Sequence, residues 1–145
     1  MNEFALIQKY FKKLTYNNPS ALNLNDDVFF DKKNNVVVSS DTYVEGVHFL
    51  DFRKPDLVIK KILRSSISDL YCKGVKPKFI FIGASGNKKS FSKKNLNLIY
   101  KSLNQEQKKY KIKLSGGDTT KSNKTTFTIT SLGYSKKIVQ RNKCK

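Results

Sequence analysis

The residues best suited to chemistry lie in Val36-Val37-Val38-Ser39-Ser40-Asp41-Thr42-Tyr43-Val44-Glu45-Gly46-Val47-His48-Phe49, an apolar run that ends in hydroxyls and a carboxylate and leads to the only histidine. Other acidic points are spaced along the chain: Asn25-Asp26-Asp27 before it, Ser68-Asp69 after it, and Gly116-Gly117-Asp118 further on. Aspartates on short stems beside Ser and Asn offer the hard oxygen ligands that Mg²⁺ prefers, and leave room for water and phosphate. Several carboxylates in one pocket repel each other unless cations stand between them. Only 11 Asp and Glu occur against 29 Lys and Arg, so acid placed in this way points to a magnesium and phosphate site. Each residue also has a plainer use: Asp26 capping a turn, Asp69 a solvent-facing helix position, Asp118 a hairpin turn.

In Gly116-Gly117-Asp118-Thr119-Thr120, glycines would let backbone N–H groups approach an anion without side-chain obstruction. A bulged hairpin turn would use the same letters. It is not a P-loop, because the lysine and the following helix are missing. His48 has no second His or suitable Cys pair beside it, so zinc is not supported. There is no Gly-x-Ser-x-Gly and no paired Cys and His, so the chain offers no catalytic nucleophile.

These residues need elements to hold them. Residues 3–14 place Phe4, Ile7, Phe11 and Leu14 at helical spacing. Val28-Phe29-Phe30 and Val36-Val37-Val38-Ser39 read as strands joined by a hairpin turn at residues 31–35, which brings Asp27 and Asp41 to the same end. A helix begins at Pro55-Asp56, buries Leu57, Ile59, Ile62, Leu63, Ile67 and Leu70, and stops near Gly74, with Asp69 in its last turns. Residues 78–83 form a buried strand. Residues 90–110 form a second long helix with Leu96, Ile99, Leu103 and Tyr110 inward. Residues 111–115 are a strand that runs into the Gly-Gly-Asp segment, and residues 125–134 are a β-branched, alternating strand. The order α-β-β-α-β-α-β-β, with a hairpin near each end, predicts an α+β fold: a mixed or antiparallel sheet with helices on one face.

A chain of 145 residues, 38% hydrophobic, is enough for one domain with its own core. No apolar run approaches the roughly 18 residues of a membrane span. No export signal is visible, and Cys72 and Cys144 are far apart, so a reduced cytoplasmic setting is expected. The net charge of +18 raises the possibility of nucleic-acid binding. Against it, only Arg53, Arg64 and Arg141 are arginine, the residue that reads bases bidentately. The rest are lysines scattered in pairs, which reads as a solvated basic surface.

Ser39-Ser40-Asp41-Thr42-Tyr43-Val44-Glu45-Gly46-Val47-His48-Phe49 closely resembles the Ser-Thr-Asp-Thr-x-Val-x-Gly-x-His-Phe signature of the thiamine-monophosphate kinase family. Asn25-Asp26-Asp27 resembles its Gly-Asp-Asp. Ser66-Ile67-Ser68-Asp69-Leu70 with Gly74 and Pro77 is similar to its Asn-x-Ser-Asp segment, and Leu114-Ser115-Gly116-Gly117-Asp118-Thr119-Thr120 to its Gly-Gly-Asp-Thr. Order and spacing agree along nearly the whole chain. Asn25 stands where the family has Gly, Ser40 where it has Thr, and Ser66 where it has Asn.

The resemblance implies ATP-dependent phosphorylation of thiamine monophosphate to thiamine diphosphate with Mg²⁺, within the superfamily of aminoimidazole ribonucleotide synthetase and selenophosphate synthetase. It implies Asp27, Ser39, Ser40, Asp41, Asp69 and Asp118 as magnesium ligands. It implies Gly117, Asp118 and Arg141 as ATP contacts and His48 as a substrate contact. It further implies a homodimer formed through the sheet. Residues 1–135 would be the ATP- and Mg²⁺-binding N-terminal domain, and residues 136–145 the start of a further C-terminal domain. Without that domain, little kinase activity is expected.

Overall fold

The computed structural model of the chain describes residues 2–141. A five-stranded sheet with the order β1-β2-β5-β3-β4 carries two long helices on one face. The strands are β1 (Phe29–Asp31), β2 (Val36–Val44), β3 (Pro77–Gly86), β4 (Lys113–Lys121) and β5 (Thr126–Tyr134). The helices are α1 (Glu3–Leu6), α2 (Pro55–Cys72) and α3 (Lys93–Tyr110). All neighbours are antiparallel except β3 and β4, which run parallel. The expected mixed sheet with helices on one face is the fold observed.

The period-2 alternation of β2 and β5 sorts their side chains. Val37, Ser39, Tyr43, Phe127, Ile129 and Ser131 are buried toward the helices. On the open face, Ser40 meets Thr130 at 2.8 Å and Thr42 meets Thr128 at 2.9 Å, hydroxyl to hydroxyl. Phe29 and Phe81 flank these pairs, 39% and 38% exposed. Against the helix face lies the stripe of α2: Val58, Ile59, Ile62, Leu63, Ile67 and Leu70, all buried. Each such side chain contributes about 1.5–3 kcal/mol relative to exposure. Leu57, placed inward by its sequence spacing, is instead 51% exposed.

Pro55 starts α2, where its missing N–H costs nothing. Gly74, at φ +74°, ends it in the left-handed conformation that a side chain would strain. The Gly74 and Val75 amides donate back to Tyr71 and Leu70, both at 2.9 Å.

α3 starts later than its sequence pattern placed it, with Ser92 as the capping residue whose Oγ accepts from the Asn95 amide. Its deeply buried residues are Ser102 and Glu106, not Leu96, which is 48% exposed. Ser102 donates to Asp56 O at 2.8 Å, and Arg64 donates to both Glu106 oxygens at 2.7 and 2.8 Å. The helix–helix contact is therefore partly polar, which an apolar-period reading cannot see.

Two more sequence expectations are corrected. The helix over residues 3–14 is α1 followed by a π-turn at Ile7–Phe11 and a 3₁₀ turn at Lys12–Thr15. Phe4, Phe11 and Leu14 remain 59%, 47% and 62% exposed, so helical spacing here has no core to bury against. The second correction concerns β4, which does not form a hairpin with β5. It crosses over to pair parallel with β3 at the sheet edge, and it continues through Gly116, Gly117 and Asp118 without turning into a loop. An ideal Cβ on Gly117 would stand 2.0 Å from the Ile82 carbonyl oxygen, so glycine here serves close strand approach.

Candidate functional site

The hairpin sets the site. Phe29 pairs with Val38 and Phe30 with Val37, so the residues preceding β1 lie beside Ser40 and Asp41 on β2, at the same end of the two strands. The last turns of α2 bring Asp69 over this end. Asp26, Asp27, Ser40, Asp41, Asp69 and Arg141 line one hollow of about 280 Å³. Asp27, Asp41 and Asp69, separated widely in sequence, therefore share a cavity.

Within it the Ser39 hydroxyl donates to Asp69 Oδ2 at 3.1 Å, and the Tyr43 hydroxyl donates to Asp41 Oδ2 at 3.4 Å. Asp41 and Asp69 are also within hydrogen-bonding reach of each other. Burial pushes the Asp41 carboxyl up to about 6, and the neighbouring Asp69 and Asp27 charges add to this. Burial raises Asp69 as well, against the Ser39 hydrogen bond. Burial, with the Asp41 and Asp69 charges, pushes the Tyr43 hydroxyl up to about 12, so it stays a donor.

Asp27 is held differently. Arg141 Nη2 donates to its two oxygens at 2.7 and 2.6 Å. At the wall of the hollow Asp26 forms an ion pair with Lys73, and its Oδ1 also accepts from the Asp27 amide at 2.8 Å. Burial raises the Asp26 carboxyl, but Lys73 and the Arg141 and Asp27 amides outweigh it, leaving the net value below the ordinary one.

His48 is exposed, on the turn that follows β2. Its Nδ1 accepts from the Val44 amide at 3.0 Å, which leaves Nε2 as the ring nitrogen that the Val44 amide does not hold. Its ring meets Tyr43 edge-on, with centroids 5.7 Å apart. Tyr43 thus links the His48 turn to Asp41.

Gly117 and Asp118 stand elsewhere. Gly117 pairs with Ile82, Ile82 with Ile129 and Ile129 with Asp41, so three strand spacings separate them, about 14 Å. The next row, Asp118–Gly83–Thr128–Thr42, faces the open side of the sheet. Asp118 borders a shallow depression there with Thr120, Thr126 and Thr128. The expectation that it closes the set around Asp41 is not met within one chain, because the Gly-Gly-Asp segment is an edge strand.

Among the described residues no three His, Cys, Asp or Glu side chains converge tightly enough to hold a metal unaided. The donor set still suits Mg²⁺, which takes one or two carboxylates and completes its shell with water and phosphate oxygens. Asp41 and Asp69, with Ser39 and Ser40 beside them, supply that much.

Sequence reasoning missed Lys73 and Tyr43. Lysine in a last helical turn reads as a solvated cation near the helix dipole, and nothing local marks it as buried. Tyr43 was visible only as a residue of the motif. Also among the described residues, no helix is long and apolar enough to cross a membrane.

Known proteins resemble the chain as follows. Residues 23–135 match the family described as AIR synthase related protein, N-terminal domain. The chain is 31% identical over 147 residues to thiamine-monophosphate kinase of Haemophilus influenzae, covering 99% of the chain and 43% of that relative. It is 30% identical over 138 residues to the enzyme of the same name from Bacillus subtilis, covering 92% and 42%. It therefore spans less than half the length of these relatives. A solved structure described as AaThiL complexed with AMPPCP and TMP superposes with a TM-score of 0.83 at 23% identity, over 99% of the chain and 45% of that protein. The HypE–HypF complex gives 0.72 at 19% identity, over 97% and 46%. At these identities the superpositions show the fold alone, whereas the family match spans most of the chain. On that match, and with the strand order and acidic hollow it accompanies, the chain belongs to the AIR synthase related protein, N-terminal domain family.

Proposed function

We propose that this chain is the Mg²⁺- and nucleotide-binding N-terminal domain (residues 1–135, with 136–145 leading into a further domain) of a thiamine-monophosphate kinase. The reaction is transfer of the ATP γ-phosphoryl group to thiamine monophosphate, giving thiamine diphosphate. The observation that carries the reading is the shared hollow of Asp27, Asp41 and Asp69, in a chain 31% identical to a relative of that name.

Phosphoryl transfer depends on positioning and charge neutralisation more than on a protein nucleophile, and this chain offers none. A Mg²⁺ ion held in the hollow would supply neutralisation of the phosphate charge. Asp27, Asp41 and Asp69 would hold it, with Ser39 and Ser40 oxygens beside them. Arg141, at the rim, would grip a phosphate. His48 would orient the acceptor through Nε2, its other nitrogen being fixed by the Val44 amide. Gly117 and Asp118 enter as nucleotide and metal contacts on the resemblance alone. We further propose a cytoplasmic homodimer, joined through the open sheet face with its paired hydroxyls and flanking Phe29 and Phe81.

The test is calorimetric titration of the chain with Mg²⁺ and the non-hydrolysable nucleotide AMPPCP, paired with phosphoryl-transfer assays in a chain extended to the relatives' length. Asp41→Asn should abolish both, and undiminished binding in that variant would overturn the site.

The HypE superposition supports a second reading, an ATP-dependent enzyme of the same superfamily with a different acceptor. Turnover with another phosphate acceptor but not thiamine monophosphate would select it. The net charge of +18 motivates a third, nucleic-acid binding, which requires tight duplex binding that falls steeply with salt.

A further inference from the structure

Lys73 follows the last residue of α2, where lysines ordinarily extend into water. Here its side chain is 7% exposed, paired with Asp26, whose side chain is 6% exposed. Taking such a pair out of water costs several kcal/mol per ion, and apolar side chains of similar volume often serve stability as well. The geometry around the pair gives it another use.

Asp26 distributes its oxygens over three segments. Oδ1 accepts from Lys73 Nζ and from the Asp27 amide at 2.8 Å, and Oδ2 accepts from the Arg141 amide at 3.2 Å. The Lys73 carbonyl accepts from the Val139 amide at 3.2 Å. The end of α2, the turn before β1 and the segment through residues 139–141 are thus tied at one buried point. The two residues that Asp26 fixes by their backbones, Asp27 and Arg141, then meet through their side chains at the hollow. Lys73 does not line that hollow.

We propose that Lys73 is a positioning residue. Its ammonium fixes Asp26, and through Asp26 it sets where Asp27 and Arg141 stand relative to Asp41 and Asp69. It touches neither cation nor nucleotide. The functional weight of this assignment rests on the Mg²⁺–nucleotide reading of the hollow, while its structural content does not.

The experiment uses the chain with Lys73→Met and Lys73→Arg. Amide hydrogen exchange is read residue by residue by NMR, and Mg²⁺–AMPPCP affinity by calorimetry. Lys73→Met should lower protection at the Asp27 and Arg141 amides by about tenfold while leaving the β2 and β5 amides unchanged. It should weaken Mg²⁺–AMPPCP about tenfold, in the range seen when a residue supporting a metal ligand is removed. Lys73→Arg should restore both. If Lys73→Met fails to fold, Lys73→Gln, which keeps a donor and most of the length, is read instead. Unchanged exchange at Asp27 and Arg141, or a loss spread evenly over the sheet, overturns the proposal. Absence of Mg²⁺–AMPPCP binding in the unsubstituted chain overturns the reading of the hollow, and the exchange pattern then judges the positioning role by itself.

Discussion

The Arg141 guanidinium grips both carboxylate oxygens of Asp27, at 2.7 and 2.6 Å, inside the hollow that also holds Asp41 and Asp69. A fixed organic cation and a divalent ion cannot both hold Asp27 in this way. Half-exposed pairs of this kind contribute about 0–1 kcal/mol. Arg141→Ala should therefore tighten Mg²⁺ binding in the absence of nucleotide by about two- to fivefold. The same variant should weaken AMPPCP binding about tenfold, by loss of a charge-assisted phosphate contact. Calorimetric titration of each ligand separately checks both signs, and weaker Mg²⁺ binding in Arg141→Ala would count against the exchange.

The second prediction concerns pH. Asp41, pushed up to about 6 by burial and by Asp69, holds a proton in the folded chain at pH values where the unfolded chain has lost it. The metal-free chain should therefore lose stability from this group as pH rises from about 4 through 6. Mg²⁺ affinity should rise over the same window, because the ion competes with that proton. Asp41→Asn should raise the metal-free melting temperature at pH 8 by a few degrees, equivalent to about 1–2 kcal/mol after solvent screening. Thermal denaturation between pH 4 and 8, with and without Mg²⁺, measures all three.

The Arg64–Glu106 pair makes a third prediction. Glu106 is almost wholly buried, and Arg64 first of all holds its carboxyl below the usual glutamate value. Arg64→Ala leaves that carboxylate without its cation and should lower stability. Adding Glu106→Gln should recover part of the loss, a non-additivity readable by urea denaturation. Stability from Glu106 is present above its unfolded pKa and lost as pH falls through the lowered folded one.

Gly117→Ala should open the β3–β4 edge, because its Cβ would stand 2.0 Å from the Ile82 carbonyl oxygen. The expected cost is about 2–4 kcal/mol, confined to that edge. Exchange protection should drop at the β3 and β4 amides and persist in β1, β2 and the β2–β5 pairing. Unchanged protection at the edge would show that the strands absorb the methyl group.

Much of this architecture was legible from residue order. α2 carried a full signal: Pro at its start, an apolar stripe, Gly at its end. The β1–β2 hairpin foretold that Asp27 and Asp41 lie together, and the helical pattern placed Asp69 in the last turns of α2. The sequence misled where local pattern and long-range pairing part. A Gly-Gly-Asp segment has the letters of a turn, and only its pairing with β3 makes it a strand. The apolar spacing at residues 3–14 is helical, yet the segment winds irregularly because the described chain gives its apolar side little to rest on. Lys73 and Glu106 are charged residues buried by partners 47 and 42 positions away, and no local period reports such pairs.

The strand at the centre of the order is the last to appear in sequence. β5 lies between β2 and β3, so neither of those has both of its sheet neighbours until residues 126–134 are in place. The helices can form early from local contacts, but the sheet they cover must wait for loops of some 80 and 40 residues to close. We expect folding of this domain to be governed by that late insertion of β5 between β2 and β3.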